Sequence, residues 1–113
     1  MRKFIAGITL AASACLSAPV NAAESMLTSW YGSYFHGRLT ANGEIYNMYG
    51  NTAAHKTLPF GTKLLVCYQG CTTVRINDRG PYIGARQLDL SYGAAEQIGL
   101  LWPGVAYTQI TYL

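Results

Sequence analysis

Apolar and polar positions alternate with a period of two over several short stretches, and glycine or proline interrupts the chain at short intervals between them. A period of two marks half-buried strands, and such punctuation marks tight turns. Leu27 to Tyr34 is aromatic and strand-like, and Lys63 to Tyr68 with Thr72 to Asn77 reads as the two arms of a hairpin. In the last stretch, Val105, Tyr107, Gln109 and Thr111 alternate with Ala106, Thr108, Ile110 and Tyr112, which predicts a closing strand. One helix is predicted over Tyr92 to Ile98, where Ser91 can cap its start and Gly99 can take the left-handed position that ends it. So few helical residues leave no room for βαβ units. The expected fold is all-β with one or two short helices, and a small closed barrel disposes of its sheet edges best.

The beginning of the chain departs from this pattern. Arg2 and Lys3 precede an uncharged run from Phe4 to Ala23, apolar as far as Leu16 and ending in the small-residue site Val20-Asn21-Ala22. That predicts a secretory signal over residues 1–23, a single domain over 24–113, and a periplasmic or secreted location. Cys15 lies within the signal, and Ala12 stands where a lipidated cysteine usually has leucine, so cleavage after Ala22 is expected rather than lipid anchoring. The net charge of +3 shrinks with the signal, which holds two of the eight Lys and Arg and none of the five acids. The remaining balance is too weak a field to argue for nucleic acid. No later stretch approaches the roughly 20 apolar residues of a membrane span. A monomer is expected.

A mature chain of this size buries one core only just, and such domains recruit staples. Cys67 and Cys71 flank Tyr68-Gln69-Gly70 between the hairpin arms, so an exported chain is expected to join them. A loop of about five residues makes this a local brace of roughly 2 kcal/mol. The pair lacks the partners of a closed zinc site, and His36 and His55 have no matched spacing, so no metal and no cofactor is expected.

The carboxylate inventory is short. Glu24 and Glu96 read as solvated, leaving Glu44, Asp78 and Asp89. Asp78 ends a strand at Asn77-Asp78-Arg79-Gly80-Pro81, and an unbroken period of two puts it on the apolar face with Val74 and Ile76. A carboxyl leaving a strand on that face is partly desolvated, which favours the protonated form a general acid needs. Two other readings stay open: an ion pair with Arg79, or hydrogen bonds to the amides of the following turn. Asp89, bracketed by Leu88 and Leu90, either serves the start of the helix or supports a site. His55 lies in a turn-rich segment before Leu58-Pro59-Phe60-Gly61, where a loop histidine is as readily an ordinary hydrogen-bonding residue as a catalyst. No nucleophile elbow occurs, and the paired cysteines exclude a thiol nucleophile. The nine tyrosines, with Tyr31, Tyr34, Tyr46, Tyr49, Tyr68 and Tyr82 near turns, suit a carbohydrate groove, since sugars present C–H faces beside hydroxyl edges.

Five stretches in order carry a resemblance: Ser29-Trp30-Tyr31-Gly32; Phe35 to Arg38 with Thr40 to Glu44; Thr52 to Thr62; Val74 to Pro81; and Leu88 to Ser91. Together they resemble the motif string of the rare lipoprotein A (RlpA) family across nearly the whole mature chain. The resemblance implies a double-psi β-barrel and an endolytic peptidoglycan lytic transglycosylase that prefers peptide-free glycan strands and leaves 1,6-anhydro ends. The family's acid falls on Asp78 and its histidine on His55, with Thr40, Glu44, Asp89, Tyr31 and Tyr82 as substrate-binding candidates. Ordinary glycosidases use two carboxylates. In the mechanism the resemblance implies, Asp78 protonates the departing oxygen and then takes the proton of the sugar's own 6-hydroxyl, so an attached nucleophile replaces the second carboxylate. The sequence is expected to hold the barrel without the SPOR repeat that many members carry. The alternative function is an expansin-like module that binds or loosens polysaccharide without cleaving it.

Overall fold

The structure, a computed structural model, describes residues 24–113. The predicted signal and Cys15 lie outside the described residues. The elements are β1 (Glu24–Tyr31), a 3-10 turn (Ser33–Phe35), β2 (Thr52–His55), β3 (Lys63–Cys67), β4 (Cys71–Asp78), β5 (Leu88–Ser91), α1 (Tyr92–Ile98) and β6 (Ala106–Tyr112). The strands close into a barrel in the order β1-β5-β2-β4-β3-β6, with β6 returning to β1. Pairs β1·β5 and β2·β4 are parallel, and the other four are antiparallel. Closure pairs every strand on both sides, which is how a short all-β chain avoids exposed edges.

The alternation along β6 is as predicted, with Thr108 and Ile110 buried while Tyr107 and Gln109 are exposed. The hairpin is joined as expected by the Cys67–Cys71 disulfide, at the paired positions that end β3 and begin β4. Helix α1 begins where the Ser91 hydroxyl accepts from the Ala94 amide at 3.3 Å and ends at Gly99, whose φ of +80° favours glycine. Beneath it lie Met26, Leu64, Val66, Val74, Ile76, Leu88, Leu90 and Ile110, all in one cluster.

Two expectations needed correction. The first strand stops at Tyr31 rather than Tyr34, because pairing with β5 ends at Tyr31 opposite Ser91 and the chain turns. Strands β2 and β5 went unpredicted: each has four residues and pairs only with strands distant in sequence.

The segment between the 3-10 turn and β2 wraps back over the barrel. Gly93 permits its close approach, since a Cβ there would lie 2.7 Å from the Tyr49 carbonyl oxygen, and the Gly93 amide donates to the Met48 carbonyl at 2.7 Å. This contact seats buried Tyr46, whose hydroxyl donates to the Tyr31 carbonyl.

Candidate active site

The site is built on the outward face of four adjacent strands. Ala53, Leu88, Leu90 and Ile76 point into the core, so their neighbours point outward. In register, Ser29 of β1 stands opposite Asp89 of β5, Asp89 opposite Ala54 of β2, and Ala54 opposite Asp78 of β4. The result is a row, Ser29–Asp89–Ala54–Asp78, in which a methyl group separates two carboxyls.

A β-bulge creates the last member of the row. Ala53 pairs with Ile76 but Ala54 pairs with Asp78, so Asn77 is the extra residue on β4. An extra residue reverses the facing of everything after it. Asp78 is therefore not on the face of Val74 and Ile76, as unbroken alternation predicted, but on the opposite one.

Asp78 is half-buried and held firmly. Its Oδ1 accepts from the Ala41 amide at 2.8 Å and the Arg79 amide at 2.9 Å, and its Oδ2 accepts from the Tyr31 hydroxyl at 3.2 Å. The turn-amide reading was thus correct in part, and the ion-pair reading was not. The Arg79 guanidinium instead donates to the carbonyls of His55 (3.2 Å) and Leu58 (2.8 Å) and lies 3.9 Å from the Phe60 ring centre. Its backbone holds Asp78 while its side chain holds the loop that follows β2.

Asp89 stands in a barer setting. The Ser29 hydroxyl donates to its Oδ1 at 2.9 Å, and burial pushes its pKa up to about 6, against the lowering effects of Ser29 and Arg86. It does not cap α1, because Ser91 does. Tyr31, the outward residue two beyond Ser29, stacks on Tyr46 with ring centres 4.4 Å apart. Burial, with the nearby Asp78 charge, pushes the Tyr31 hydroxyl well above its ordinary pKa, so it stays a neutral donor.

His55 and Asp78 are the last residues of parallel strands and emerge at the same end of the barrel. His55 Nδ1 accepts from the amides of Thr57 and Leu58, both at 3.1 Å, which leaves Nε2 as the nitrogen free for other partners. Burial lowers its pKa, helped by the charges of Lys56 and Arg79, so the imidazole is neutral with its proton on Nε2.

Thr40 and Glu44 belong to a clamp beside this row. Glu44 accepts from both guanidinium nitrogens of Arg75 (2.7 and 3.0 Å), from Asn77 (3.0 Å) and from Asn42 (3.1 Å). Arg75, then Asn77 and Asn42, hold its pKa down to about 2. Buried Thr40 donates to Asn42 Oδ1 at 2.6 Å. The clamp fixes the turn whose Ala41 amide reaches Asp78. Tyr82, 72 % exposed, stands on the loop after β4 with the Lys56 ammonium 5.9 Å from its ring centre. Among the described residues, no cluster of three or more His, Cys, Asp or Glu is arranged to hold a metal.

Sequence reasoning did not single out Ala54 or Ser29 individually as part of the site, and it named Tyr46 only among the tyrosines suited to a groove. Only the register reveals Ala54, while the Ser-Trp-Tyr and Ala-Ala-His stretches had signalled that their segments mattered.

A family profile described as lytic transglycolase matches residues 23–110. The chain belongs to the lytic transglycolase family. Among relatives of this lytic transglycolase domain, the endolytic peptidoglycan transglycosylase RlpA of Vibrio cholerae is 50 % identical over 95 residues, covering 81 % of this chain and 36 % of its own length. The protein of the same name from Helicobacter pylori strain J99 is 49 % identical over 90 residues, covering 77 % of this chain and 29 % of its own. The chain thus spans about a third of the length of these curated relatives. The solved Streptomyces papain inhibitor superposes with a TM-score of 0.66 at 20 % identity, covering 86 % of this chain and 99 % of its own. At that identity the likeness concerns fold alone, the small double-psi β-barrel.

Proposed function

We propose that this domain is an endolytic peptidoglycan lytic transglycosylase, acting outside the cytoplasm on glycan strands, preferably peptide-free, and leaving 1,6-anhydro ends. The observation that carries the reading is the setting of Asp78. It is held by two amides and a hydroxyl, pairs with no cation among the described residues, and stands half-buried in the row beside Ala54.

The chemistry requires one proton for the departing glycosidic oxygen and removal of one from the 6-hydroxyl as the anhydro ring closes. Asp78 can make both transfers in turn, because the nucleophile arrives already attached to the reacting ring. His55 presents Nε2–H at the same end of the barrel to orient a sugar hydroxyl. Tyr31 fixes the Asp78 carboxyl, Thr40 and Glu44 fix the turn that supports it, and Tyr82 offers a ring face at the rim.

Exposed rings such as Tyr34, Phe60 and Tyr82 would also serve a module that binds glycan without cutting it. Incubation of the purified protein with peptide-free strands separates the two readings. Products bearing 1,6-anhydro ends, lighter by one water than hydrolytic ones, support the transglycosylase. Retention of strands on immobilised protein with no product supports the binding module.

A further inference from the structure

Asp78 and Asp89 share one face, on strands separated only by β2, so their Cα atoms are roughly 10 Å apart at two strand spacings. Their surroundings differ in kind. Three donors, two of them backbone amides, converge on Asp78 and engage both of its oxygens. Asp89 receives one hydroxyl donor on Oδ1, and among the described residues no donor reaches its Oδ2. A base for the 6-hydroxyl proton needs the first environment, and an acid for the leaving oxygen needs the second.

We propose that the two carboxyls divide the reaction, Asp89 delivering the proton to the glycosidic oxygen and Asp78 accepting the proton of the attacking 6-hydroxyl. This rests on the transglycosylase reading and replaces its assignment of both transfers to Asp78. The Asp89 O–H bond breaks as the bond between the anomeric carbon and the leaving oxygen breaks. The bonding pair stays on that oxygen, which takes the proton. The 6-oxygen then bonds to the anomeric carbon and passes its proton to Asp78. Asp78 releases a proton to water, Asp89 takes one up, and no water molecule is consumed.

The groups facing Asp89 are consistent with this role. Asp78 from β4 raises its pKa, Arg86 from the preceding loop and Ser29 from β1 lower it, and burial outweighs both. Tyr31 from β1 and Tyr46 from the covering segment, which sense the charges of both carboxyls, remain neutral.

The test compares peptide-free strands with an oligosaccharide of the same glycan carrying 4-nitrophenolate at the cleaved carbon, a leaving group that departs without protonation. Asp89→Asn should lose about 10²-fold or more on strands yet stay within about 10-fold of wild type on the nitrophenyl substrate. Asp78→Asn should fail on both. The wild-type rate on strands should decline above pH 6, a limb the nitrophenyl substrate lacks. Should Asp89→Asn not fold, the two wild-type pH profiles carry the test: a limb on strands alone supports the division, and identical profiles overturn it. Asp89→Asn within about threefold of wild type on strands, or equally impaired on both substrates, overturns the proposal while leaving the transglycosylase reading standing. Wild type that yields no product from strands overturns both.

Discussion

The Glu44 cluster and the Ser29–Asp89–Ala54–Asp78 row lie side by side on the same barrel, and both are built from carboxylates. Glu44 has a guanidinium and two amide groups on its oxygens, so its charge is fixed far below neutral pH. Asp89, half-buried with a single hydroxyl donor, is poised to exchange a proton near pH 6. The residue type does not decide whether a carboxylate is scaffold or chemistry. The number and charge of the donors that meet it do.

The strongest way to break this contrast is Asp78→Asn. The amide matches the carboxylate in shape, so thermal melting should stay near wild type, while turnover on strands falls about 10²- to 10⁴-fold. Equal turnover in the variant would move the chemistry away from Asp78.

Melting as a function of pH separates the two clusters next. The pKa of Asp89 is raised in the folded state, so its stabilising contribution is full below about pH 4 and is lost as pH rises through about 6, on the order of 3 kcal/mol. Asp89→Asn should remove this decline. The pKa of Glu44 is lowered, so its contribution is full above about pH 4.5 and disappears as pH falls through about 2. Glu44→Gln should flatten only that acid limb.

A brace remote from both clusters serves as a control. Replacing Cys67 and Cys71 together with serine should cost roughly 2 kcal/mol in a chemical melt and leave the pH dependence of activity unchanged. The smallest effect is expected at neutral pH for Glu44→Gln, about 1 kcal/mol, because the Arg75–Glu44 pair is partly exposed, with side chains 39 % and 40 % accessible. A larger loss there would mean that the clamp holds the covering segment as a whole.

Much of this molecule was legible in its sequence. Local signals sufficed for β6, for the disulfide hairpin and for α1, where Ser91 and Gly99 mark the ends. Asp78 and His55 were singled out as candidates, but their geometry was not legible. A one-residue bulge at Asn77 reverses the face of Asp78, and nothing in Val74 to Asp78 announces it, because the bulge exists only relative to β2. Asp89 looked like a residue for the helix start because it precedes α1, yet its neighbours are Ser29 and Ala54, which lie far away in sequence. Strands of four residues that pair only with distant partners leave too little periodicity to be read locally.

Running the reaction in water enriched in oxygen-18 tests the central claim most directly. If the 6-hydroxyl is the nucleophile on the Asp78 row, wild-type protein will cut peptide-free strands to products with 1,6-anhydro ends that carry no label. Products with reducing ends that have gained one labelled oxygen for each bond cut would contradict the account, because water, not the substrate's own hydroxyl, would then be the nucleophile.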